Sequence, residues 1–170
     1  MAAFSMNTII NVAKLLPEYE FWILGFAYPV TREFMNNINV PNITKVDLVT
    51  PISRNDMPKY LRTADLVFHS RPHDACSNLI LEAMTVGKPV VGLNTGSTPE
   101  LLGNCGLVGN CYGNFERLPI SVDYEHLASQ IKNTVDNYDY YKNRITERGK
   151  MFTQSNMSEE YLRYIEELLR

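Results

Sequence analysis

The sequence predicts an α/β fold: a Rossmann-like, doubly wound parallel sheet with helices on both faces and a helical C-terminal segment. Three observations carry this. Short continuous apolar runs bounded by turn residues alternate with stretches of helical periodicity over most of the chain. The runs lack polar–apolar alternation, so they read as strands covered on both faces, as in parallel sheets joined by crossover helices. From residue 119 onward the apolar runs give way to amphipathic stretches, so 119–170 is expected to be mostly helical.

Taken in order, residues 6–16 form the first helix, with Ser5 as candidate N-cap and Pro17 beyond its end. "FWILG" (21–25) is a strand ending at a glycine, 31–38 a helix, and "KVDLVT" (45–50) the second strand. A helix over 56–63 has Ser53 and Asn55 as candidate caps, and "DLVFHS" (65–70) is the strand after it. Residues 77–86 form a helix closed by Gly87, suited to the left-handed position past a C-terminus, with Pro89 beyond. Strands at 89–93 and 106–109 follow, and "NCYGNFERLP" (110–119) reads as a loop. Tyr124, Leu127, Ala128, Ile131 and Val135 keep helical spacing, so 123–136 is a helix. Helices over 138–152 and 158–170 complete the chain, the last with "SEE" as cap and acidic first turn. Strand–helix alternation of this kind implies a parallel sheet within a single domain, 1–170.

Composition narrows the function classes. A chain of 170 residues, 45% hydrophobic and 21% charged, has an ordinary globular balance. A net charge of −3, with Lys and Arg scattered, argues against a nucleic-acid partner. No signal-peptide pattern opens the sequence, and no stretch approaches the roughly 18 apolar residues of a membrane span. A cytoplasmic location is the expectation. Cys76, Cys105 and Cys111 are odd in number and lack CxxC spacing, so neither a disulfide framework nor a zinc site is indicated, and no metal is expected.

The site candidate lies at "HDACSNLILEAM" (73–84). Ligands of open parallel sheets bind at the carboxyl ends of strands, and this stretch follows such an end. A helix starting near Ser77 offers unpaired N–H groups and a positive dipole end, which suit phosphate. Asn78 and Glu82, four apart, share one helix face. A carboxylate there can accept from two adjacent hydroxyls, such as those of a ribose, and Asp74 in the loop is placed to reach sugar hydroxyls. The plainer alternative is that Glu82 is a solvated helix residue and Asp74 a turn residue. His69 and His73 are read as loop or packing residues.

The block "DACSNLILEAMTVGKPVVGLNTGSTPELLG" resembles the E-x7-E region of retaining, family-4-type glycosyltransferases with the GT-B fold, the glycosyl transferases group 1. The matching parts are Asp74, Glu82-Ala83-Met84, Gly87, Pro89-Val90-Val91, Thr95-Gly96-Ser97 and Pro99-Glu100. The family usually has Glu where this chain has Asp74, although subgroups with Asp-x-Cys-x-Asn match "DACSN". The resemblance implies that the chain corresponds to one half of a GT-B fold, the donor-binding C-terminal half. Asp74 and Glu82 would be the catalytic-centre carboxylates, with Glu82 on the ribose and Asp74 on the transferred sugar. The backbone of Ser77 and Asn78 would hold the diphosphate, that of Ala75 and Cys76 would face the sugar, and Thr50, Pro51 and Ile52 would border the base. No cofactor is implied; a UDP- or GDP-linked sugar is the donor substrate.

Family C-terminal domains open with a strand and a loop bearing an Arg and a Lys on the leaving diphosphate, and "MAAFSMNTIINVAKLL" resembles the helix after that loop. The expectation is therefore an incomplete enzyme that needs an N-terminal GT-B domain or partner subunit. Two alternatives stand beside it. One is a non-catalytic nucleotide-sugar-binding or regulatory subunit; the other is a different GT-B enzyme, such as a nucleotide-sugar epimerase.

Overall fold

Two parallel sheets and an antiparallel hairpin carry the fold, seen in a computed structural model that describes residues 2–24, 29–46, 50–114 and 117–170. Helix α1 (Ala2–Leu15) leads to strand β1 (Phe21–Leu24), helix α2 (Pro29–Asn36) and strand β2 (Ile43–Val46). Then come α3 (Met57–Thr63), β3 (Val67–His69), α4 (Asn78–Thr85), β4 (Val90–Leu93), α5 (Thr98–Leu102) and β5 (Leu107–Gly109). Strands β6 (Cys111–Asn114) and β7 (Arg117–Val122) precede α6 (Tyr124–Asp136), α7 (Tyr138–Gly149), a 3₁₀ turn (Lys150–Phe152) and α8 (Gln154–Leu168). Strands β1 and β2 pair in parallel, as do β3, β4 and β5, while β6 and β7 pair antiparallel.

Strand β4 shows why the apolar runs are continuous. Val90 packs with Ile80, Ala83, Met84, Leu102 and Ile145, whereas Val91 and Leu93 pack with Val12, Leu16, Leu127 and Ile131. Successive side chains of a strand point to opposite faces, and helices cover both faces here. Helix α1 bridges the sheets: Val12 and Leu16 pack toward β4, while Ala13 packs with Ile23 and Ile43. Its C-terminal end is held from a distance, since Asn42 Nδ2 donates to Ala13 O and, just past the helix, to Leu16 O at 2.9 and 2.8 Å. Arg148 of α7 serves α5 likewise, donating to Leu101 O and Glu100 O at 2.9 and 2.7 Å.

Several local expectations are corrected. Ser5 lies buried inside α1, because the helix begins at Ala2 and Phe4 already packs on the core. Helix α3 starts after Asp56, which makes no side-chain cap bond; Ser53 instead shapes the preceding turn. Helix α8 starts four residues early, capped by Thr153, and the Ser158 hydroxyl donates within the helix to Gln154 O. The expected loop at 110–119 is largely the β6–β7 hairpin, and β7 carries strand structure to Val122. Gly113 and Pro119 hid it: an irregularity between Tyr112 and Asn114 absorbs the glycine, and a two-stranded ribbon leaves edges where proline is tolerated. Of the two strands expected at 21–25 and 45–50, Gly25 and residues 47–49 lie outside the described residues. Phe115 and Glu116 of the 110–119 stretch lie outside them too.

Candidate functional site

The mouth of α4 is built by one serine. Ser77 Oγ accepts from the Ile80 amide at 3.4 Å and Ser77 O from the Leu81 amide at 3.3 Å. The first amides of a helix have no partner within it, so those of Asn78 and Leu79 lie at the end of α4 where the helix dipole is positive. Within α4, Ile80, Ala83 and Met84 are buried while Asn78 and Glu82 are exposed on one face. Glu82 escapes burial in an apolar stretch because the helix turns it outward. That placement serves a ligand at the helix mouth or plain solvation equally well.

Asp74 is held far more firmly than its loop position suggests. Its carbonyl accepts from the Ser97 amide at 2.8 Å. Gly96, at φ +59°, lies so close that a Cβ would stand 2.7 Å from Asp74 O and 2.9 Å from Asp74 N. Its carboxylate Oδ2 is 3.3 Å from Nε2 of His69, whose Nδ1 is 3.2 Å from Thr98 Oγ1. His69 ends β3 and is buried, as is Thr98 at the start of α5. Burial pushes the His69 imidazole below its usual range; the neighbouring Asp74 carboxylate opposes that shift, and Arg71 adds to it. His73, just before Asp74, holds a left-handed φ of 55°, uncommon outside glycine. The Thr95 and Ser97 hydroxyls beside Gly96 are buried without a hydrogen-bond partner among the described residues.

The remaining predicted residues fall elsewhere. Thr50, Pro51 and Ile52 line an open pocket of about 500 Å³, together with Ser53, Asp56, Lys59 and Tyr60. Asp74 and Glu82 do not line it, but α3 and α4 share a core through Leu61, Ile80 and Ala83. A second pocket, of about 520 Å³, lies between the 3₁₀ turn and α8, away from the strand ends. Ala75 and Cys76 are exposed in the loop, and Ser77 is buried as the cap. Thr98 is the site residue that sequence reasoning passes over, while it reads His69 as a loop or packing residue and Gly96 only as part of the matching turn. Their signal was a polar residue ending an apolar strand and a Thr-Gly-Ser turn ahead of a helix. Among the described residues, no group of three or more His, Cys, Asp or Glu is placed to hold a metal, and no helix is long and apolar enough to cross a membrane.

A family profile described as glycosyl transferases group 1 matches residues 4–137. No curated protein sequence matches the chain. Sucrose-phosphate synthase from Thermosynechococcus elongatus superposes with a TM-score of 0.77 at 15% identity, over 98% of this chain and 42% of that one. HepE from Anabaena, solved with UDP, gives 0.68 at 18% identity, over 94% and 44%. A UDP-GlcNAc 2-epimerase from Neisseria meningitidis, bound to UDP-GlcNAc, gives 0.56 at 15% identity, over 92% and 41%. The chain thus spans less than half the length of each of these structures and shares the fold of one half of GT-B proteins.

Proposed function

The chain belongs to the glycosyl transferases group 1 family, and from this we propose that it is the donor-binding domain of an enzyme that moves a sugar from a nucleotide-diphosphate sugar to an acceptor with retention. The observation that carries the proposal is the pairing of a fixed Asp74 with the open mouth of α4 and the outward Glu82. Amides at the helix mouth suit a diphosphate. Glu82, one turn further in, accepts from the ribose hydroxyls, and Asp74 accepts from hydroxyls of the transferred sugar. Ala75 and Cys76 present backbone to that sugar, while Thr50, Pro51 and Ile52 border the base at their pocket. The reading assigns no resident cofactor and places the donor pool in the cytoplasm. It assigns acceptor binding to an N-terminal GT-B domain, in the same polypeptide or on a partner. HepE binds UDP on the same fold, which supports a uridine donor, with GDP as the other base to test.

The test is a calorimetric or NMR titration of residues 1–170 with UDP and GDP. Saturable binding of one of them is expected, and flat titrations with both would sink the proposal. Glu82→Ala should weaken UDP by roughly tenfold or more, because a hydrogen bond to a charged group contributes about 1.5–3 kcal/mol. It should affect 2′-deoxy-UDP less, since the 2′-hydroxyl is missing there; equal losses would make Glu82 a solvated helix residue only. The fold shared with an epimerase keeps one second reading in view. An epimerase would release an interconverted sugar nucleotide without any acceptor, whereas this chain alone is expected to bind without turnover.

A further inference from the structure

Beneath the loop that carries Asp74, the buried end of β3 holds a polar chain that the donor grip does not use. We propose that His69 is a positioning residue: fixed as the Nε2–H tautomer by the Asp74 carboxylate and steadied at Nδ1 by the Thr98 hydroxyl, it holds Asp74 Oδ2 and leaves Oδ1 for the transferred sugar. The inference rests on the donor-site reading above and deepens it.

The tautomer follows from the donors available. A carboxylate only accepts, so the contact of 3.3 Å between His69 Nε2 and Asp74 Oδ2 needs the ring to donate from Nε2. A neutral ring then offers Nδ1 as an acceptor, and the Thr98 hydroxyl at 3.2 Å is the group that donates to it. Both ring nitrogens are thereby satisfied in a site where only 4% of the His69 side chain is exposed. Burial keeps the ring neutral, which preserves this division of donor and acceptor.

Glycine at position 92 is part of the device. Gly92 pairs with His69 across β3 and β4, and a Cβ there would stand 2.6 Å from Thr98 Cγ2. Without it, Thr98 lies over the strand and reaches the ring. The main chain of Asp74 is held separately, by the Ser97 amide and by Gly96. The ring is therefore not needed to place the loop; what it fixes is the direction of the carboxylate.

Two measurements test this. Long-range ¹⁵N–¹H spectra of the imidazoles near neutral pH should show His69 as Nε2–H, with ring shifts that move in Asp74→Ala. An Nδ1–H ring, or shifts indifferent to Asp74→Ala, would overturn the proposal. The second compares the affinities of UDP-glucose and UDP-N-acetylglucosamine with that of UDP, in the unaltered chain and in His69→Ala and His69→Gln. The gain from the preferred sugar should fall about tenfold in His69→Ala, the scale expected of a misplaced contact group. It should recover partly in His69→Gln, whose amide can donate to Asp74. An unchanged gain in a folded His69→Ala, or no gain from either sugar in the unaltered chain, overturns the assignment. If His69→Ala does not fold, Thr98→Val keeps the ring but leaves Nδ1 without its donor; it should loosen the ring and lower the same gain, and an unchanged gain there would count against the proposal. A chain that binds no UDP at all breaks the donor-site reading instead, and the spectra then decide the His69 assignment alone.

Discussion

Two loops are assigned to opposite ends of one donor, and they are built from different kinds of bond. The 70–77 loop is fixed by residues far along the chain: the Ser97 amide on Asp74 O, Gly96 pressed against the same peptide, and Thr98 acting through His69. In the 50–56 loop, Ser53 and Asp56 bond to near neighbours. Ser53 O accepts the amides of Asp56 and Met57, both at 3.0 Å, and Asp56 takes Ser53 Oγ at 2.7 Å and Lys59 Nζ at 2.6 Å. A loop held by tertiary contacts is preorganised, which lowers the cost of ordering on binding, whereas one held locally can adjust to its ligand. Under the proposed donor reading, the difference gives precise geometry to the sugar end and tolerance to the base end.

The comparison breaks most visibly at Gly96. Its φ of +59° disfavours any Cβ, and the atoms such a Cβ would meet at 2.7 and 2.9 Å are backbone atoms of Asp74 that cannot rotate away. Gly96→Ala is expected to cost on the order of 3 kcal/mol, combining left-handed strain with a forced shift of the 73–74 peptide. Chemical denaturation reads the stability, and the same variant should lose sugar discrimination. A midpoint equal to that of the unaltered chain would show that the loop is not clamped from the 95–97 turn.

Thr98→Val is the next step down. The substitution keeps the shape of a fully buried side chain but leaves His69 Nδ1 facing a methyl group. One buried acceptor without its donor costs about 1–3 kcal/mol, so a fall of the denaturation midpoint in that range is expected. No fall would mean that the hydroxyl makes no bond to the ring.

These residues also mark how far the sequence could be read. The parallel sheet, the order of the first five strands and the helix after Ser77 follow from local signals: apolar runs, caps and Gly87. The outward turn of Glu82 follows from helical spacing alone. The brace under Asp74 does not, because it joins β3, β4 and α5 through residues 69, 92, 96 and 98, which only the folded sheet brings together. His69 ends an apolar run and reads as a packing residue; it is buried as such a residue should be, and the bond to Asp74 comes from tertiary geometry. The β6–β7 hairpin was hidden for a different reason, since Gly113 and Pro119 are loop signals unless the pairing is seen.

Acid should separate the loops further. In the folded chain, burial holds the His69 imidazole below 6.5 despite the Asp74 carboxylate, so as pH falls the unfolded chain takes up that proton first. The contribution of neutral His69 to stability is complete above pH 6.5 and is lost as pH falls through the folded value. Denaturation of the unaltered chain and of His69→Gln at a series of pH values should therefore give curves that diverge below 6.5, with the unaltered chain losing more stability. Parallel curves would place the ring in contact with solvent.

The smallest effect is expected at the base end, and its smallness is informative. Lys59 donates to Asp56 at 2.6 Å, with the carboxylate held below and the ammonium above their ordinary ranges by that bond, yet both side chains stand largely in water. Exposed pairs of this kind are screened by salt and contribute little to folding. Lys59→Ala should leave the denaturation midpoint where it is at physiological ionic strength. Because Lys59 and Asp56 line the pocket beside Thr50, Pro51 and Ile52, the same variant should still change nucleotide affinity modestly, and more at low salt. A stability loss approaching that of Thr98→Val would show the 50–56 loop to be clamped as firmly as the 70–77 loop. The contrast between a preorganised sugar end and an adjustable base end would then be gone.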